Sequence, residues 1–411
     1  MNSKNTKSYV LDNGIRVVVQ FENTPVSHLG VMVMAGSRYE KPGEEGLAHF
    51  LEHCIFKGTN KRRAYHVLSR LDAVGGELNA YTTKEEIAIY ASFSKEYFSR
   101  SSELLADICF NSNFPKNEIE KEKAIILDEI NAYLDSPSDK IFDDFEAYLF
   151  KNHPLGNNIL GTPESVKSFT DKDLTNYIER FFFPENIVIS IVGNHNEKRL
   201  LKRLNKDFGR VNLKGIKKSP KMVEQQSVFK MHTKESNYQT HIMVGGEAPG
   251  VDSDNRRVMT LLINMLGGPA LNSRLALSIR EKHGFSYNIE ANYTPYQETG
   301  YWNVYASTDQ ENSKKTLHLI WKELKRFQKE KLTEYQLSKA KTQLKGHLAL
   351  AMDSNSGIML NNAKSLLVFN QLDTLEEIHD KIDKISAESI QELAQKYFIK
   401  ENCSELVFTP R

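Results

Sequence analysis

Two histidines and a glutamate lie close together in the segment GLAHFLEH, which begins at Gly46. Apolar residues recur around them with helical spacing, so residues 46–56 are predicted to form a helix. Positions three and four apart share one face of a helix, which places Glu52 beside His49 and His53. Two imidazoles one turn apart can bind a single Zn²⁺ ion, and a neighbouring carboxylate can act as general base.

A catalytic zinc site uses three protein ligands, so a third ligand is required. A second predicted helix, residues 118–134, carries Glu122 and Glu129 two turns apart on one face. Both acids lie among apolar residues, where an unpaired carboxylate is costly. We predict that Glu129 is the ligand and that Glu122 orients an imidazole through a hydrogen bond. Asp128 points about 100° away and is the weaker choice.

The two-histidine motif also has a second interpretation. A surface helix with two histidines and a salt-bridging glutamate would show the same pattern, and His-x-x-Glu-His arises by chance in on the order of a few per hundred chains. The two acids on the downstream helix favour the metal site. Cys54 adjoins His53 but faces about 100° away from it, so we interpret it as a packed thiol.

The composition of the whole chain is that of an ordinary globular protein. It has 411 residues, enough for two domains of about 200 residues each. Its 54 Lys+Arg and 53 Asp+Glu leave a net charge of +1, which indicates neither a nucleic-acid partner nor an anionic membrane surface. Three widely spaced cysteines indicate no disulfide framework. Without a long apolar stretch or an apolar N-terminal region, we expect no membrane partner and a cytoplasmic location.

An internal repeat is visible along the chain. Tyr-Ala-Ser at 90–92 reappears at 305–307, and Phe-x-x-Glu-Asn at 182–186 reappears at 398–402, so the two offsets are 215 and 216 positions. Two matches at nearly one offset indicate a duplication.

The predicted fold class is α+β, with two homologous domains, each a mainly antiparallel sheet with helices packed on one face. The predicted zinc-binding catalytic domain is 1–210, followed by a linker at 211–226 and a degenerate homologous domain at 227–411. The linker is basic, contains Gly and Pro, and lacks apolar periodicity. In the first domain we predict two strands joined by a turn at Asn13-Gly14, strands at 28–36, 77–82, 86–93 and 187–192, and further helices at 65–74, 140–150 and 164–182.

Further motifs occur in order across nearly the whole chain: Gly36-Ser-Arg38, GLAHFLEH, GGELNAYTTKE, AIILDEI, HPLGNNILGT and SRLALSIREKHGFSY. This set resembles the inverzincins, the pitrilysin and insulysin family of zinc peptidases, and most closely their mitochondrial-processing-peptidase subclass. The resemblance implies one zinc ion per chain, bound by His49, His53 and Glu129. It also implies that Glu52 is the base and that Glu122 supports the ligands.

The resemblance assigns roles to further residues. Taken alone, Arg280 and Tyr287 would be a solvated helix end and a core tyrosine. They match the family's Arg/Tyr pair, which contacts the substrate backbone and the scissile carbonyl. Asn79, Ala80 and Tyr81 match the family's edge strand, to which a peptide adds as an extra strand. An ordinary hairpin strand would show the same residues.

The function implied is that of a zinc-dependent endopeptidase that hydrolyses peptides or unfolded segments held in extended form within a dimer-enclosed chamber. Because one chain carries both the zinc ligands and the Arg/Tyr pair, we expect a homodimer. A zinc-dependent heterodimer with a related chain is one alternative. The other is a catalytically silent scaffold or partner subunit of the same fold, which would be expected to have lost zinc ligands.

The second half is expected to lack a zinc site. At the offset of 215 positions, the two histidines and the base correspond to Asn264, Gly268 and Gly267. Only Gly267-Gly268-Pro269 stands where non-catalytic processing-peptidase subunits carry a longer glycine-rich loop, which argues against such a partner role.

Overall fold

The structure is a computed structural model that describes residues 5–211, 215, 221–224 and 226–411. These residues form two compact units, and each unit is assembled from three separate stretches of chain. Unit 1 comprises the described residues of Met1–Asn131, Asn157–Pro220 and Leu350–Leu375, and unit 2 those of Ala132–Gly156, Lys221–Ala349 and Glu376–Arg411.

The elements of the first half are, in order, β1 (Thr6–Val10), β2 (Arg16–Phe21), β3 (Val26–Val33), α1 (Leu47–Cys54), α2 (Ala64–Asp72), β4 (Glu77–Thr82), β5 (Ile87–Ser94), α3 (Phe98–Phe110), α4 (Lys116–Leu134), α5 (Pro137–Leu149), α6 (Pro163–Ser168), α7 (Asp171–Phe181), β6 (Ile187–Gly193) and α8 (Glu197–Asp207). Those of the second half are β7 (Lys230–Glu235), β8 (Thr240–Pro249), α9 (Arg256–Gly267), a π-helical segment (Ala276–Glu281), β9 (Ile289–Pro295), β10 (Thr299–Thr308), α10 (Ser313–Lys329), α11 (Glu334–Ala351), α12 (Asn355–Phe369), α13 (Leu375–Asp383), α14 (Ala387–Tyr397) and β11 (Ser404–Pro410).

Each unit contains one sheet, and the two sheets share a topology. In unit 1 the strand order is β1-β2-β6-β3-β5-β4, and in unit 2 it is β7-β11-β8-β10-β9. Unit 1 has the additional strand β1. Without it, each sheet begins with one parallel pair, β2 with β6 in unit 1 and β7 with β11 in unit 2. The pairs that follow are antiparallel. The predicted α+β class with two similar, mainly antiparallel domains is confirmed.

The repeat seen in the sequence occupies equivalent places in the two sheets. His28 pairs with Ser92 across β3 and β5, and His241 pairs with Ser307 across β8 and β10. Phe182 and Phe398 both follow the last residue of the helix that precedes the final strand. Both sequence matches therefore mark equivalent structural positions.

Each sheet has helices on one face and a further helix on the other. In unit 1, alternate strand residues such as Val17 and Val31 join the main core, while their neighbours Val18 and Met32 pack against α12. In unit 2, α5 covers the corresponding second face through residues such as Phe145. This is the period-two alternation of a sheet buried on both sides.

This exchange of helices alters the predicted domain boundaries. Helix α5 lies within the predicted first domain, 1–210, but belongs to unit 2, and α12 lies within 227–411 but belongs to unit 1. Contiguous boundaries therefore do not describe these two segments. The predicted linker at 211–226 lies largely outside the described residues.

One local prediction also requires correction, and another is confirmed. The helix predicted at 164–182 is two helices, α6 and α7, because the chain is extended at Phe169 and Thr170 and a new helix starts where Asp173 accepts a hydrogen bond from the Thr170 N–H. The turn predicted at Asn13-Gly14 joins β1 to β2: the Gly14 N–H donates to the Leu11 carbonyl at 2.9 Å, and the φ of Gly14 is 95°. In the described part of the chain, no helix combines the length and apolar character needed to cross a membrane.

Candidate metal centre

Helix α1 is held in unit 1 by its apolar side. Leu47, Phe50, Leu51 and Cys54 are at most 1% exposed and join the main core. Their burial fixes which way the remaining side chains face, so that His49 is buried while Glu52 and His53 are half-buried. The Cys54 thiol is free and packed, and burial raises its pKa.

Helix α4 presents the two predicted acids from the other side of the site. Its buried positions are Ile119, Glu122, Ile126 and Ile130, which follow the three- and four-residue spacing of one helical face. Glu122 is 3% exposed, whereas the side chain of Glu129 is 43% exposed. The two acids therefore lie in different environments even though they are two turns apart.

The structure brings His49, His53 and Glu129 together. Glu129 Oε1 lies 3.8 Å from His49 Nε2, and Glu129 Oε2 lies 3.6 Å from His53 Nε2. The two imidazole rings are 4.7 Å apart between centroids. One ligand atom from each residue lies within 4.8 Å of the other two. We refer to these three residues as the metal cluster.

Glu122 contacts the other ring nitrogen of His53, Nδ1, whereas Nε2 faces Glu129. The His53 Nδ1–H donates to Glu122 Oε2 at 3.1 Å, and this bond leaves the lone pair on the Nε2 that faces Glu129. The Lys57 ammonium contacts the other oxygen of Glu122 at 2.8 Å. The carboxylate thus holds the imidazole in the tautomer that a metal requires, and its own charge is paired.

Burial sets the protonation of the other two polar groups on α1. Burial, with a smaller contribution from neighbouring His53, lowers the pKa of His49 to about 4, so that this imidazole is neutral at ordinary pH. Burial also raises the pKa of Glu52, although hydrogen bonding to Thr82 and the nearby His53 oppose the shift. A raised pKa brings a carboxyl group closer to what a general base needs near neutral pH.

The residues of the metal cluster fit zinc. Two neutral imidazole nitrogens and one carboxylate oxygen are a donor set that Zn²⁺ prefers, and three protein ligands leave one position free for water. The two Glu129 carboxylate oxygens lie 3.8 Å from His49 Nε2 and 3.6 Å from His53 Nε2, so donors of these types converge on one place. Within the residues that the structure describes, no other group of three or more His, Cys, Asp or Glu meets the same spacing.

The predicted substrate strand is the edge of the sheet in unit 1. Asn79, Ala80 and Tyr81 lie in β4, whose only partner among the described strands is β5. The start of α1 lies beside this strand, since Thr82 Oγ1 donates to the Ala48 carbonyl at 3.5 Å. In the described part of the chain, the free edge of β4 is therefore adjacent to the helix that carries His49 and His53 of the metal cluster.

Arg280 and Tyr287 belong to unit 2. Arg280 lies in the π-helical segment, a feature frequent at functional sites, and its Nε donates to Glu281 at 2.8 Å. Tyr287 is 85% exposed, so the alternative interpretation of a core tyrosine is wrong. An exposed phenol is available to a ligand, and this availability is what the predicted role requires.

Two residues near the metal cluster were not predicted from the sequence. Lys57 pairs with Glu122. Its position four residues after His53 was the signal in the sequence that could have placed it near this site. Thr82, which interacts with Glu52, gave no signal, because only the pairing of β4 in the sheet brings it to α1.

Comparisons with known proteins identify the class to which this fold and site belong. A family model described as insulinase, peptidase family M16, matches residues 16–163, and one described as the peptidase M16 inactive domain matches residues 168–344. The chain belongs to peptidase family M16. The second model covers the half in which Asn264, Gly267 and Gly268 replace the zinc-site residues.

Named relatives align over nearly the whole chain. The uncharacterized zinc protease YmxG of Bacillus subtilis is 32% identical over 98% of this chain and 98% of its own length. Subunit beta of the mitochondrial-processing peptidase of Mus musculus is 30% identical over 97% of this chain and 83% of its own. The resemblance to the processing-peptidase subclass is confirmed.

Solved structures show the same fold at lower identity. The peptidase M16 inactive domain from Pseudomonas fluorescens superposes with a TM-score of 0.92 at 18% identity, covering 99% of this chain and 98% of that one. A protease from Helicobacter pylori superposes with a TM-score of 0.88 at 22% identity, covering 98% and 99%. At such identities the likeness concerns the fold alone.

Proposed function

We propose that this chain is a zinc-dependent endopeptidase that hydrolyses peptides or unfolded polypeptide segments. The observation that carries the proposal is the convergence of His49, His53 and Glu129, whose ligand atoms lie within 4.8 Å of one another. Glu52 lies on α1, the helix that carries both histidines. Relatives named as zinc proteases over almost the full length of the chain support the same chemistry.

Bound zinc would lower the pKa of a coordinated water and polarise a carbonyl oxygen. The Glu52 carboxylate accepts a proton from the attacking water and then delivers it to the leaving amine. The Glu122 carboxylate holds His53 in the ligating tautomer by accepting a hydrogen bond from Nδ1–H. The charge of Glu122 is paired with that of Lys57. The neutral state of His49 means that no proton must leave this imidazole before metal binds.

The substrate is held as an added strand on β4. The free edge at Asn79, Ala80 and Tyr81 offers backbone N–H and C=O groups to an extended peptide. Recognition through the backbone depends weakly on sequence and requires an unfolded or flexible segment. This requirement favours peptides over folded proteins as substrates.

Arg280 and Tyr287 complete the proposed mechanism. The guanidinium positions the peptide backbone, and the phenol donates a hydrogen bond to the developing oxyanion. We propose a homodimer in which the zinc-bearing unit of one subunit and the Arg/Tyr-bearing unit of the other form each site. Two such composite sites then lie in one enclosed chamber.

The decisive experiment uses purified full-length protein and a quenched fluorescent peptide blocked at both ends. Hydrolysis is expected with zinc, should stop when a chelator removes the metal, and should return when zinc is restored. Blocked ends exclude an exopeptidase. Undiminished hydrolysis by metal-free protein would contradict the proposal, and zinc binding without hydrolysis of any flexible peptide would favour the silent scaffold.

A second experiment tests the composite sites. Glu52→Gln and Tyr287→Phe chains are each expected to be nearly inactive, and mixing them should restore part of the activity through mixed dimers with one intact site. Size-exclusion chromatography should show a dimer. No recovery after verified subunit exchange would indicate sites formed within one chain.

A further inference from the structure

Helix α1 has no capping side chain at its own N-terminus. The first N–H groups of an α-helix have no partner within the helix, and a Ser, Thr, Asp or Asn at the N-cap usually accepts a hydrogen bond from one of them. In α1 the N-cap residue is Gly46, which has no side chain to supply such a bond. The helix that carries the predicted zinc ligands therefore needs another acceptor.

A larger residue does not fit at position 46. The φ of Gly46 is 92°, in the left-handed region that favours glycine. A Cβ built there would lie 2.6 Å from the carbonyl oxygen of Leu160 and 2.7 Å from Cα of Gly161. The chain at Leu160 and Gly161 packs directly on the start of α1 and excludes an ordinary N-cap side chain.

Glu40 supplies the missing acceptor from outside the helix. Its Oε2 accepts from the Gly46 N–H at 3.0 Å, and its Oε1 accepts from the Ala48 N–H at 2.8 Å. The residue is 6% exposed, and a carboxylate in this place also interacts favourably with the helix dipole. Two bonds from one planar group restrain both the axial position and the rotation of the first turn. The next residue after Ala48 is His49.

Burying this acid has a cost that an exposed cap would avoid. Burial raises the pKa of Glu40 to about 8, against the opposing effects of the two amide hydrogen bonds and of Lys84. Other contacts hold the same segment independently: Arg180 pairs with Glu44, and Ser165 Oγ donates to the Glu45 carbonyl at 2.6 Å. The segment that leads into α1 is therefore anchored by other contacts besides those of Glu40. The side-chain hydrogen bonds to the first-turn amides, in contrast, come from Glu40.

We infer that Glu40 is a positioning residue for the metal centre, which sets the rotation of α1 at which His49 and His53 face Glu129. This inference rests on the proposed zinc function, because the rotation of α1 matters to the extent that its imidazoles bind a metal. It assigns to Glu40 no contact with metal or substrate.

The experiment compares Glu40→Gln with Glu44→Gln in the full-length protein. The comparison is made above pH 8, where Glu40 is ionised and both of its oxygens can accept. Glutamine has the size of glutamate, but its NH₂ group would face an amide N–H with no acceptor. The zinc dissociation constant, measured by competition with a chromogenic chelator, is expected to rise about tenfold or more in Glu40→Gln, as when groups that support metal ligands are lost. It should stay within about twofold of wild type in Glu44→Gln, which loses a partly exposed ion pair.

Melting temperatures separate positioning from general stability. The rise in melting temperature on adding zinc should shrink in Glu40→Gln, since stabilisation by a ligand follows its affinity. Equal losses in the metal-free and zinc-loaded forms, with unchanged zinc affinity, would overturn the inference. If Glu40→Gln does not fold, Glu40→Asp, which keeps the charge but shortens the reach, is judged by the same criteria.

The wild-type protein tells the two possible failures apart. Wild type that binds zinc and cleaves peptides, while Glu40→Gln keeps its zinc affinity, overturns this inference alone. Wild type that binds no zinc overturns the proposed function and this inference with it.

Discussion

Helices α1 and α9 follow equivalent strands in two sheets of the same topology, yet of the two only α1 contributes to the His/His/Glu cluster found among the described residues. Each helix follows the strand at the centre of its sheet and precedes the edge strand, β4 or β9. In α9 the counterparts of His49, Glu52 and His53 are Asn264, Gly267 and Gly268. The two units therefore share a backbone plan, while the proposed zinc chemistry concerns unit 1 alone.

The glycine at position 267 changes how closely α9 packs as well as which side chain is present. A Cβ on Gly267 would lie 2.7 Å from the backbone nitrogen of Ala291 in β9. Helix α9 packs against its edge strand at a distance that excludes a side chain, whereas α1 places the Glu52 side chain next to Thr82 of β4. The counterpart of the Glu52 position thus has no room for a side chain in unit 2, so the difference is one of packing as well as of residue type.

The largest expected effect comes from removing the proposed base. Glu52→Gln keeps the size of the side chain but cannot accept a proton, so kcat should fall by about 10²- to 10⁴-fold while bound zinc stays at the wild-type level. Steady-state kinetics and metal analysis of the same preparation give both values. Wild-type turnover in this variant would remove Glu52 from the mechanism.

A smaller effect is expected from replacing Glu122. This variant distinguishes the supporting role of Glu122 from the ligand role of Glu129, the other acid on α4. Glu122→Gln removes the charge that holds the His53 tautomer and should weaken zinc binding by about 10- to 100-fold. Glu118→Gln is the matched control, because Glu118 lies on the same helix and pairs with the exposed Lys121. Equal zinc affinities in the two variants would mean that Glu122 does not support the site.

The smallest effect tests the packing difference between the units. Gly267→Ala should lower the free energy of unfolding by about 1–3 kcal/mol, because β9 must move away from α9. Gly346→Ala is the control: Gly346 lies in α11 with open space around it, and alanine there should stabilise by about 0.5–1 kcal/mol. Denaturant unfolding measures both, and a neutral Gly267→Ala would show that close packing does not exclude a side chain at position 267.

Much of the metal centre could be predicted because it rests on short-range rules. The spacing in α1 aligns His49 and His53, and the spacing in α4 puts Glu122 and Glu129 on one face. The different environments of these two acids follow from packing, but the apolar residues that surround them were visible in the sequence. The strands predicted at 77–82 and 86–93 likewise correspond to β4 and β5.

Features that depend on long-range packing could not be predicted. Helical periodicity in α5 and α12 indicates an apolar face, but it does not say which sheet buries that face, so the exchange of helices was missed. The cap provided by Glu40 depends on the approach of Leu160 and Gly161 to Gly46, which no local pattern encodes. Residue type alone would have made Tyr287 a core tyrosine, whereas the structure leaves it 85% exposed, as a residue that contacts a substrate needs to be.

The most direct test is zinc content per chain in the wild type, Glu129→Gln and Asn264→Ala, measured by elemental analysis after dialysis against metal-free buffer. One zinc per chain is expected in the wild type and in Asn264→Ala, with most of the zinc lost from Glu129→Gln. Full zinc retention by Glu129→Gln, or two zinc ions per wild-type chain, would contradict a single site built from His49, His53 and Glu129.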